Sequence, residues 1–384
     1  MKGKKVLYIT HYSALYGANL SMLNLIIELR DKKQIIPYVL LNEPGDMTIE
    51  LEKYHINYII DKYYNCTIDI RRSGVLLKRW LKKFLRFVMY KFVINRLKQY
   101  NFDLIHSNSS VVDIGYFAAK KIDCPHIWHV REYGRDDYDL VQIDSFKKVK
   151  KRYQHSACII PVSKSVEEMI RNIDKGLNIS MVYNGIKIPD IYDKKYCCDG
   201  RFHFCMVGVI TRKKNQLEAV KAVKILVERG HKNFVLHIVG EDFNGEIEVI
   251  QAFIQKENLK NYVEFAGYKS DISLYLKKMD VGIVASYKEA FGRVTIEYMS
   301  NYMPVIGTDT GGTSELIQEG ITGFLYKTGK PDLLAEKMAL IMSKENMLKA
   351  IGVKARMYSE SFTVENNAEQ VGRVYQTVLG QREG

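Results

Sequence analysis

Proline occurs only seven times in 384 residues, and no long Gly/Ser or acidic tract interrupts the chain. With 47% apolar residues and so few breaks, this is the composition of a folded globular protein, not of a disordered one. Cysteine is also sparse. Cys66, Cys124, Cys158, Cys197, Cys198 and Cys205 include no C-x-x-C pair, and adjacent Cys197 and Cys198 are badly disposed to bridge each other or to build a zinc knuckle. Scattered thiols in a reducing compartment are the expectation. No stretch approaches the ~18 apolar residues of a membrane span. The brief apolar run in MKGKKVLYIT suits a first strand better than a secretion signal. The expected location is the cytoplasm, with peripheral contact at the inner face of the cell membrane. No clustered Asp or His set points to a metal.

What is abundant is positive charge, and it is uneven. Residues 1–190 hold 31 Lys and Arg against 20 Asp and Glu, whereas the remainder hold 26 against 24. A basic first half beside a near-neutral second half suits an anionic partner on the first half: nucleic acid, an acidic substrate or an anionic membrane.

Short apolar runs alternate with longer helical patterns. Strands are expected at 6–10, 35–41, 104–106, 127–130 and 159–162. The scheme then repeats at 202–207, 234–239, 263–265, 281–284 and 305–308, with helices between, including 18–30, 216–229 and 246–257. Two such blocks read as two Rossmann-like, doubly wound parallel sheets. The junction falls near 186–200, where IPDIYDKKYCCDG breaks the periodicity.

Open parallel sheets bind ligands beyond the C-terminal ends of their strands, and three segments of the second half sit there. After 202–207 comes Gly208-Val-Ile-Thr-Arg-Lys-Lys-Asn-Gln216, where Arg212, Lys213 and Lys214 open a helix. Such a turn is either a diphosphate site or a solvated basic turn. After 281–284 comes Ser286-Tyr-Lys-Glu289-Ala-Phe-Gly-Arg-Val-Thr-Ile-Glu297. Gly292 permits close backbone approach, and Glu297 sits one turn into a helix near its positive end. A carboxylate there suits vicinal ribose hydroxyls, and Glu289 suits a sugar ring. Two solvated acids are the bland alternative. After 305–308 comes Gly311-Gly-Thr-Ser-Glu-Leu316, in which Thr313 and Ser314 are candidate caps of a short helix whose amides form an anion nest.

Together these segments resemble the second domain of the GT-B glycosyltransferases, in particular the large retaining family 4 type that includes bacterial capsule, lipopolysaccharide and phosphatidylinositol-mannoside transferases. Glu289-x7-Glu297 is similar to the family's signature pair, GGTSEL to its phosphate loop, Lys214-Asn215-Gln216 to its K-N-Q/H element, and Asn184-Gly185-Ile to its N-G-V/I step. The first half resembles it more loosely, through Thr10-His-Tyr, Asp103-Leu-Ile-His106, Trp128-His129 and Val162-Ser163. Two positions depart from the pattern: Val209 stands where the family often has Arg, and its N-terminal Gly-Gly loop is reduced to Tyr16-Gly17.

The resemblance implies a GT-B architecture of two Rossmann-like domains facing across a cleft. Residues 1–190 form the acceptor side, with the helix 363–384 packing back on it, and 191–362 bind the nucleotide sugar. It implies sugar transfer from a nucleotide-diphosphate donor with retention, and no metal or cofactor. The expected partners are that donor and a glycan or polyprenyl-linked acceptor. Lys214, with Arg212 or Lys213 and the amides around Gly311, Gly312 and Thr313, is expected to stabilise the leaving diphosphate. Glu297 should hold the ribose, and Glu289 the donor sugar, assisted by the Phe291 and Gly292 backbone. His129 matches the family's N-domain active-site histidine, and Gly17 falls at the first domain's donor loop. Arg131 and Glu132 are expected to face the acceptor.

Residues 75–98 read as a basic amphipathic helix: eight Lys/Arg and no acid from Lys78 to Lys98, with Leu77, Trp80, Leu81, Phe84, Leu85, Val88 and Phe92 at helical spacing. This suits an anionic membrane surface or, equally, a helix packed on the sheet with a solvated basic face. Two other readings of the whole chain compete: a GT-B-like epimerase or phosphorylase, and a non-enzymatic basic protein bound to membrane or nucleic acid. The second treats all the motifs as coincidence, and nucleic acid is not the expected partner.

Overall fold

The computed structural model describes residues 3–70, 75–269 and 271–383; the side chains of 75–78, 382 and 383 also lie outside the description. The chain forms two compact units, residues 1–185 with 364–384, and residues 186–363.

In unit 1, strands β1 (Lys4–Ile9), β2 (Ile35–Leu41), β3 (Asn57–Ile60), β4 (Leu104–Ser107), β5 (His126–Val130) and β6 (Cys158–Pro161) form one sheet in the order β3-β2-β1-β4-β5-β6. Every neighbouring pair is parallel. Side chains alternate across a strand, so both faces of β1 need cover. Val6 and Tyr8 enter one core with Met22, Leu25 and Ile26 of the helix Gly17–Asp31, and Leu7 and Ile9 enter another with Val93 and Leu97. The helix Val364–Glu383 lays Ala368, Val371, Tyr375 and Val378 into the first of these cores, a spacing that puts all four on one helical face.

Unit 2 repeats the plan. Strands β7 (Phe202–Val207), β8 (Phe234–Val239), β9 (Val263–Gly267), β10 (Val281–Val284), β11 (Val305–Thr308) and β12 (Gly323–Tyr326) are ordered β9-β8-β7-β10-β11-β12, again all parallel. The order reverses between β1 and β4 and between β7 and β10, so each unit has one topological switch point where adjacent strands send their following loops apart.

The basic helix spans Val75–Leu97, but its faces are not those the pattern suggests. Leu77 and Lys78 fall outside the described side chains. Trp80, Leu81, Phe84 and Phe92 are exposed, as is Phe87, while Tyr90, Val93, Ile94 and Leu97 are buried together with Arg86. The inward face therefore carries a cation. Arg86 pairs with Asp113 and lies 3.5 Å from Asp144. Arg152 reaches Asp113 at 2.7 Å and also pairs with Asp144, and Tyr90 donates to Asp113 at 2.7 Å. Burial pushes the Asp144 carboxyl up, but the Arg152 and Arg86 guanidiniums outweigh it and hold it at about 2. Two carboxylates thus neutralise two arginines inside unit 1.

Arg86→Met leaves Asp113 with one cation fewer in a dry site. The expected loss is about 3–5 kcal/mol of unfolding free energy, read by urea denaturation of the full chain. A loss no larger than that of an exposed control such as Arg96→Met would show that the network does not hold the fold.

Candidate active site

In unit 2, three loops meet beyond the strand ends. The turn after β7 runs through Thr211, whose carbonyl accepts from the Lys214 and Asn215 amides at 3.0 and 3.1 Å. Asn215 then takes a left-handed conformation (φ 58°) and caps the helix Gln216–Glu228. The K-N-Q element divides by role. Asn215 and Gln216 are buried, and their side chains bind Glu218 at 2.5 Å and the Val209 carbonyl at 3.1 Å, fastening the turn. Lys214 reaches outward, its Nζ 2.5 Å from Glu289 Oε1. Ser286 Oγ donates to the same oxygen at 2.5 Å. Arg212 is exposed in the same turn.

Glu289 belongs to the loop after β10, which is tied on both sides. The Tyr287 amide donates to the Lys213 carbonyl at 3.0 Å, and the Gly312 amide donates to the Glu289 carbonyl at 2.7 Å. Both glycines of the third loop are required by proximity. A Cβ on Gly311 (φ +57°) would lie 2.6 Å from the Glu289 carbonyl oxygen, and one on Gly312 would lie 2.7 Å from Phe291 Cα. Thr313 and Ser314 do not cap the helix Gly311–Leu316. Thr310 holds that position, and its hydroxyl donates instead to the Tyr287 carbonyl at 2.7 Å. Because the Gly312 amide is occupied, the amides of Gly311 and Thr313 remain at the first helical turn. The Thr313 hydroxyl is buried and unpartnered.

Gly292 (φ +81°) precedes the helix Arg293–Ser300, which places Glu297 one turn in, 3.1 Å from Arg293 Nη2. Phe291 is buried, its ring 6.2 Å from that of Phe362.

In unit 1 the polar residues at the strand ends are deeply buried. His129 near the end of β5 and His106 on β4 are fully enclosed. Tyr375 Oη lies 2.7 Å from His106 Nδ1 and 3.0 Å from Tyr8 Oη. His106 Nε2 lies 3.2 Å from His129 Nδ1, which is also 3.2 Å from Arg131 Nη2. Burial, with the Arg131 charge adding to it, holds both imidazoles far below the usual histidine range, so both are neutral. The proton placement follows. A guanidinium only donates, so His129 Nδ1 accepts from Arg131, and the proton of neutral His129 stands on Nε2. That atom is buried with no partner among the described residues.

Arg131 does not face outward. Its Nε donates to Asn108 Oδ1 at 2.6 Å and its Nη1 to Asn184 Oδ1, so the N-G-I asparagine anchors the arginine. Glu132 is also buried, accepting from the Ser110 amide at 2.6 Å and from the Ser110 hydroxyl. Burial raises its pKa against these bonds. Gly17 opens the first helix and is exposed, while Asn19 inside that helix ties down the preceding loop through the Tyr12 and Ala14 carbonyls at 2.9 and 2.8 Å. Sequence reasoning passed over Asn19, Asn108 and Tyr375. The only local signal was an amide side chain interrupting an apolar helix. Among the described residues no group of three or more His, Cys, Asp or Glu is placed to hold a metal ion.

Comparison with known proteins places this geometry. Residues 192–358 match the family model described as Glycosyl transferases group 1, and residues 17–188 match Glycosyltransferase Family 4. An uncharacterized glycosyltransferase of Methanocaldococcus jannaschii is 27% identical over 75% of this chain and 79% of its own length. The capsular polysaccharide biosynthesis glycosyltransferase CapM of Staphylococcus aureus is 27% identical over 59% of this chain and 63% of its own. Among solved structures, HepE of Anabaena in complex with UDP and glucose superposes with a TM-score of 0.79 at 20% identity, covering 97% of this chain and all (100%) of that one. Sucrose-phosphate synthase of Thermosynechococcus elongatus does so with 0.77 at 19% identity, covering 98% and 100%. At such identities the structural likeness shows the fold.

The histidine chain can be read directly. In 15N-labelled protein the His129 ring should appear as the Nε2–H tautomer and stay neutral through about pH 6.5, where an ordinary histidine titrates. Tyr375→Phe removes the hydroxyl 2.7 Å from His106 Nδ1 and should shift the His106 ring nitrogens. Unchanged ring shifts in this variant would break the chain of bonds. The unfolded chain binds these protons and the folded one does not, so unit 1 should lose stability as pH falls below about 6.5.

Proposed function

The chain belongs to the GT-B glycosyltransferases of the family 4 type, and we propose that it transfers a sugar, with retention, from a nucleoside-diphosphate donor to a glycan or polyprenyl-linked glycan in surface polysaccharide assembly. The observation that carries this reading is the Lys214–Glu289 pair at the switch point of unit 2, 2.5 Å apart and framed by two helix starts. The name of CapM supports a polysaccharide product, and the UDP and glucose named with HepE support the donor class. Retention rests on the family's signature pair, here Glu289 and Glu297.

In this mechanism the barrier is departure of the diphosphate from an oxocarbenium-like sugar, and the protein stabilises the charge that grows on the leaving oxygens. Lys214 Nζ and the exposed Arg212 supply cations, with Lys213 adjoining. The Gly311 and Thr313 amides supply dipolar donors. Gly312 acts through its backbone contact with Glu289 and gives no amide to the phosphate. Glu289, oriented by Lys214 and Ser286, accepts from hydroxyls of the donor sugar beside the Phe291–Gly292 backbone. Glu297 accepts from the ribose hydroxyls. His129 matches the family's active-site histidine, and its neutral ring would add no positive charge to a developing oxocarbenium ion. Gly17, exposed at the start of its helix, is the counterpart of the family's first-domain glycine loop. An epimerase would convert the donor with no acceptor present, and that outcome would replace transfer as the reading.

UDP, GDP and ADP are each tested by thermal shift, and one should stabilise the full chain. Glu297→Ala should weaken that nucleotide by roughly 10- to 100-fold, the loss of hydrogen bonds to a charged acceptor. Glu289→Ala should leave nucleotide binding within about threefold while lowering transfer by roughly 100-fold or more. Stabilisation by none of the three would remove the central support for the proposal.

The same reading places unit 1 against an anionic membrane surface at the cytoplasmic face through residues 75–98. No described helix is long and apolar enough to cross a membrane. Trp80 (71% exposed) stacks on exposed Phe84, ring centroids 6.5 Å apart, and Leu81, Phe87 and Phe92 lie exposed nearby. The charges of this helix are unsuited to testing the idea: Arg86 is inside, Lys82 Nζ donates to the Thr67 carbonyl at 2.8 Å and Lys83 pairs with Asp144 at 3.3 Å. The aromatic pair is the better probe. Trp80→Ser/Phe84→Ser should abolish flotation with phosphatidylglycerol-containing vesicles while leaving the unfolding midpoint in place. Flotation equal to the parent would reject the membrane role of this helix.

A further inference from the structure

Beside the aromatic stripe, unit 1 carries a pocket of about 670 Å³ between the helix Val75–Leu97, the helix Ile114–Ile122 and the helix Phe146–Gln154. Its size is that of a small-molecule site, and its lining shares no residue with the candidate active site. The lining holds Lys83, Arg86, Lys91, Lys121, Lys148 and Arg152, and one carboxylate, Asp144. Asp113 stands behind it, so six cations face two acids. Those acids are already committed to the buried arginines and to Lys83. Lys121 and Lys148 are exposed and form no ion pair among the described residues. Lys91 Nζ sits 4.3 Å over the Phe87 ring. The surplus charge is therefore at the mouth, in Lys91, Lys121 and Lys148, above an inner wall of Tyr90, Ile94 and Phe117.

Phe87 joins two features: it lines the pocket and, with Trp80, Phe84 and Lys91, follows the spacing of one helical stripe. A free anion has no use for that exposed apolar stripe. A lipid does, because its headgroup and chains need a cationic pocket and an apolar edge side by side. We propose that this pocket binds the phosphate-bearing headgroup of an anionic phospholipid, with the Trp80–Phe84–Phe87 stripe seated at the chain boundary. The inference rests on the membrane reading of the helix 75–97 and adds to it a discrete headgroup site, built from residues of two other helices. Lys121 and Lys148 ligate the phosphate; the Arg86–Asp113–Arg152–Asp144 network holds the three helices at the required separation.

Binding of the full chain to phosphatidylcholine vesicles, with and without phosphatidylglycerol, is measured for the parent, for Lys121→Gln/Lys148→Gln, and for Lys232→Gln/Lys260→Gln, which removes the same charge from unit 2. With each near-surface lysine worth about 1 kcal/mol, the pocket pair should weaken binding roughly 10- to 30-fold, and the control pair less than about twofold. Equal losses in the two pairs, or no loss in the pocket pair while the parent binds, would overturn the pocket and leave the membrane reading standing. No binding by the parent would overturn both. A second arm compares short-chain, water-soluble dihexanoyl-phosphatidylglycerol with inorganic phosphate by thermal shift. The lipid should stabilise the parent and not the pocket pair, with phosphate giving no matching shift. Equal stabilisation by phosphate would reassign the pocket to a free anion and overturn the lipid assignment.

Discussion

The chemistry of unit 2 depends on one short length of backbone, residues 286–289. Its polar groups are engaged from both sides. Tyr287 donates its amide to the turn at Lys213. The Ser286 carbonyl takes the Thr308 hydroxyl at 2.9 Å, the Tyr287 carbonyl takes Thr310, and the Glu289 carbonyl takes the Gly312 amide. These partners come from the turn after β7, from the end of β11 and from the loop that follows it. The Glu289 carboxylate, Lys214 and the helix start at Gly311 are thereby fixed against one another. The two glycines belong to this constraint. Their lack of a Cβ permits backbone-to-backbone contact, and anion binding at the neighbouring amides is a consequence of the geometry that contact produces.

Unit 1 solves the same problem with side chains. Its strand-end residues are buried polar groups that satisfy one another over long sequence distances: Tyr375 with His106, Arg131 with Asn108 and Asn184, Glu132 with Ser110. In a low-dielectric interior such a network is firm only when complete. The Arg131 guanidinium gives the histidine chain its direction, because a group that cannot accept forces His129 Nδ1 to do so. One fixed charge thus determines the proton position on a ring two residues away.

The strand–helix alternation was legible because the central strands are short β-branched runs covered on both faces. Four described strands are absent from the sequence reading: the short antiparallel pair Thr67–Asp69 and Leu140–Gln142, and β3 and β12 at the edges of their sheets, where only Ile59 of Asn57–Ile60 is buried and Gly323–Tyr326 begins on a glycine. Neither edge strand presents the continuous apolar run that marks a central parallel strand. The ligand loops of unit 2 were legible because each follows a strand within a few residues. Asn19, Asn108 and Tyr375 were not, since their roles arise from partners brought together by the fold; 269 residues separate Tyr375 from His106.

The basic helix shows where charge counting misleads. Lys and Arg exceed Asp and Glu by eleven in residues 1–190, yet Arg86, Arg131 and Arg152 are inside, spent on carboxylates, amides and a ring nitrogen. An arginine can turn inward in place of an apolar residue when two carboxylates await it, and here they come from positions 113 and 144. Arg86 shares its helical face with buried Tyr90, Val93 and Leu97, whereas Trp80, Phe84 and Phe87 lie on a separate, exposed face. The helix therefore presents a salt network and apolar residues together to the interior of unit 1, and its aromatic stripe is free of any structural duty to that network.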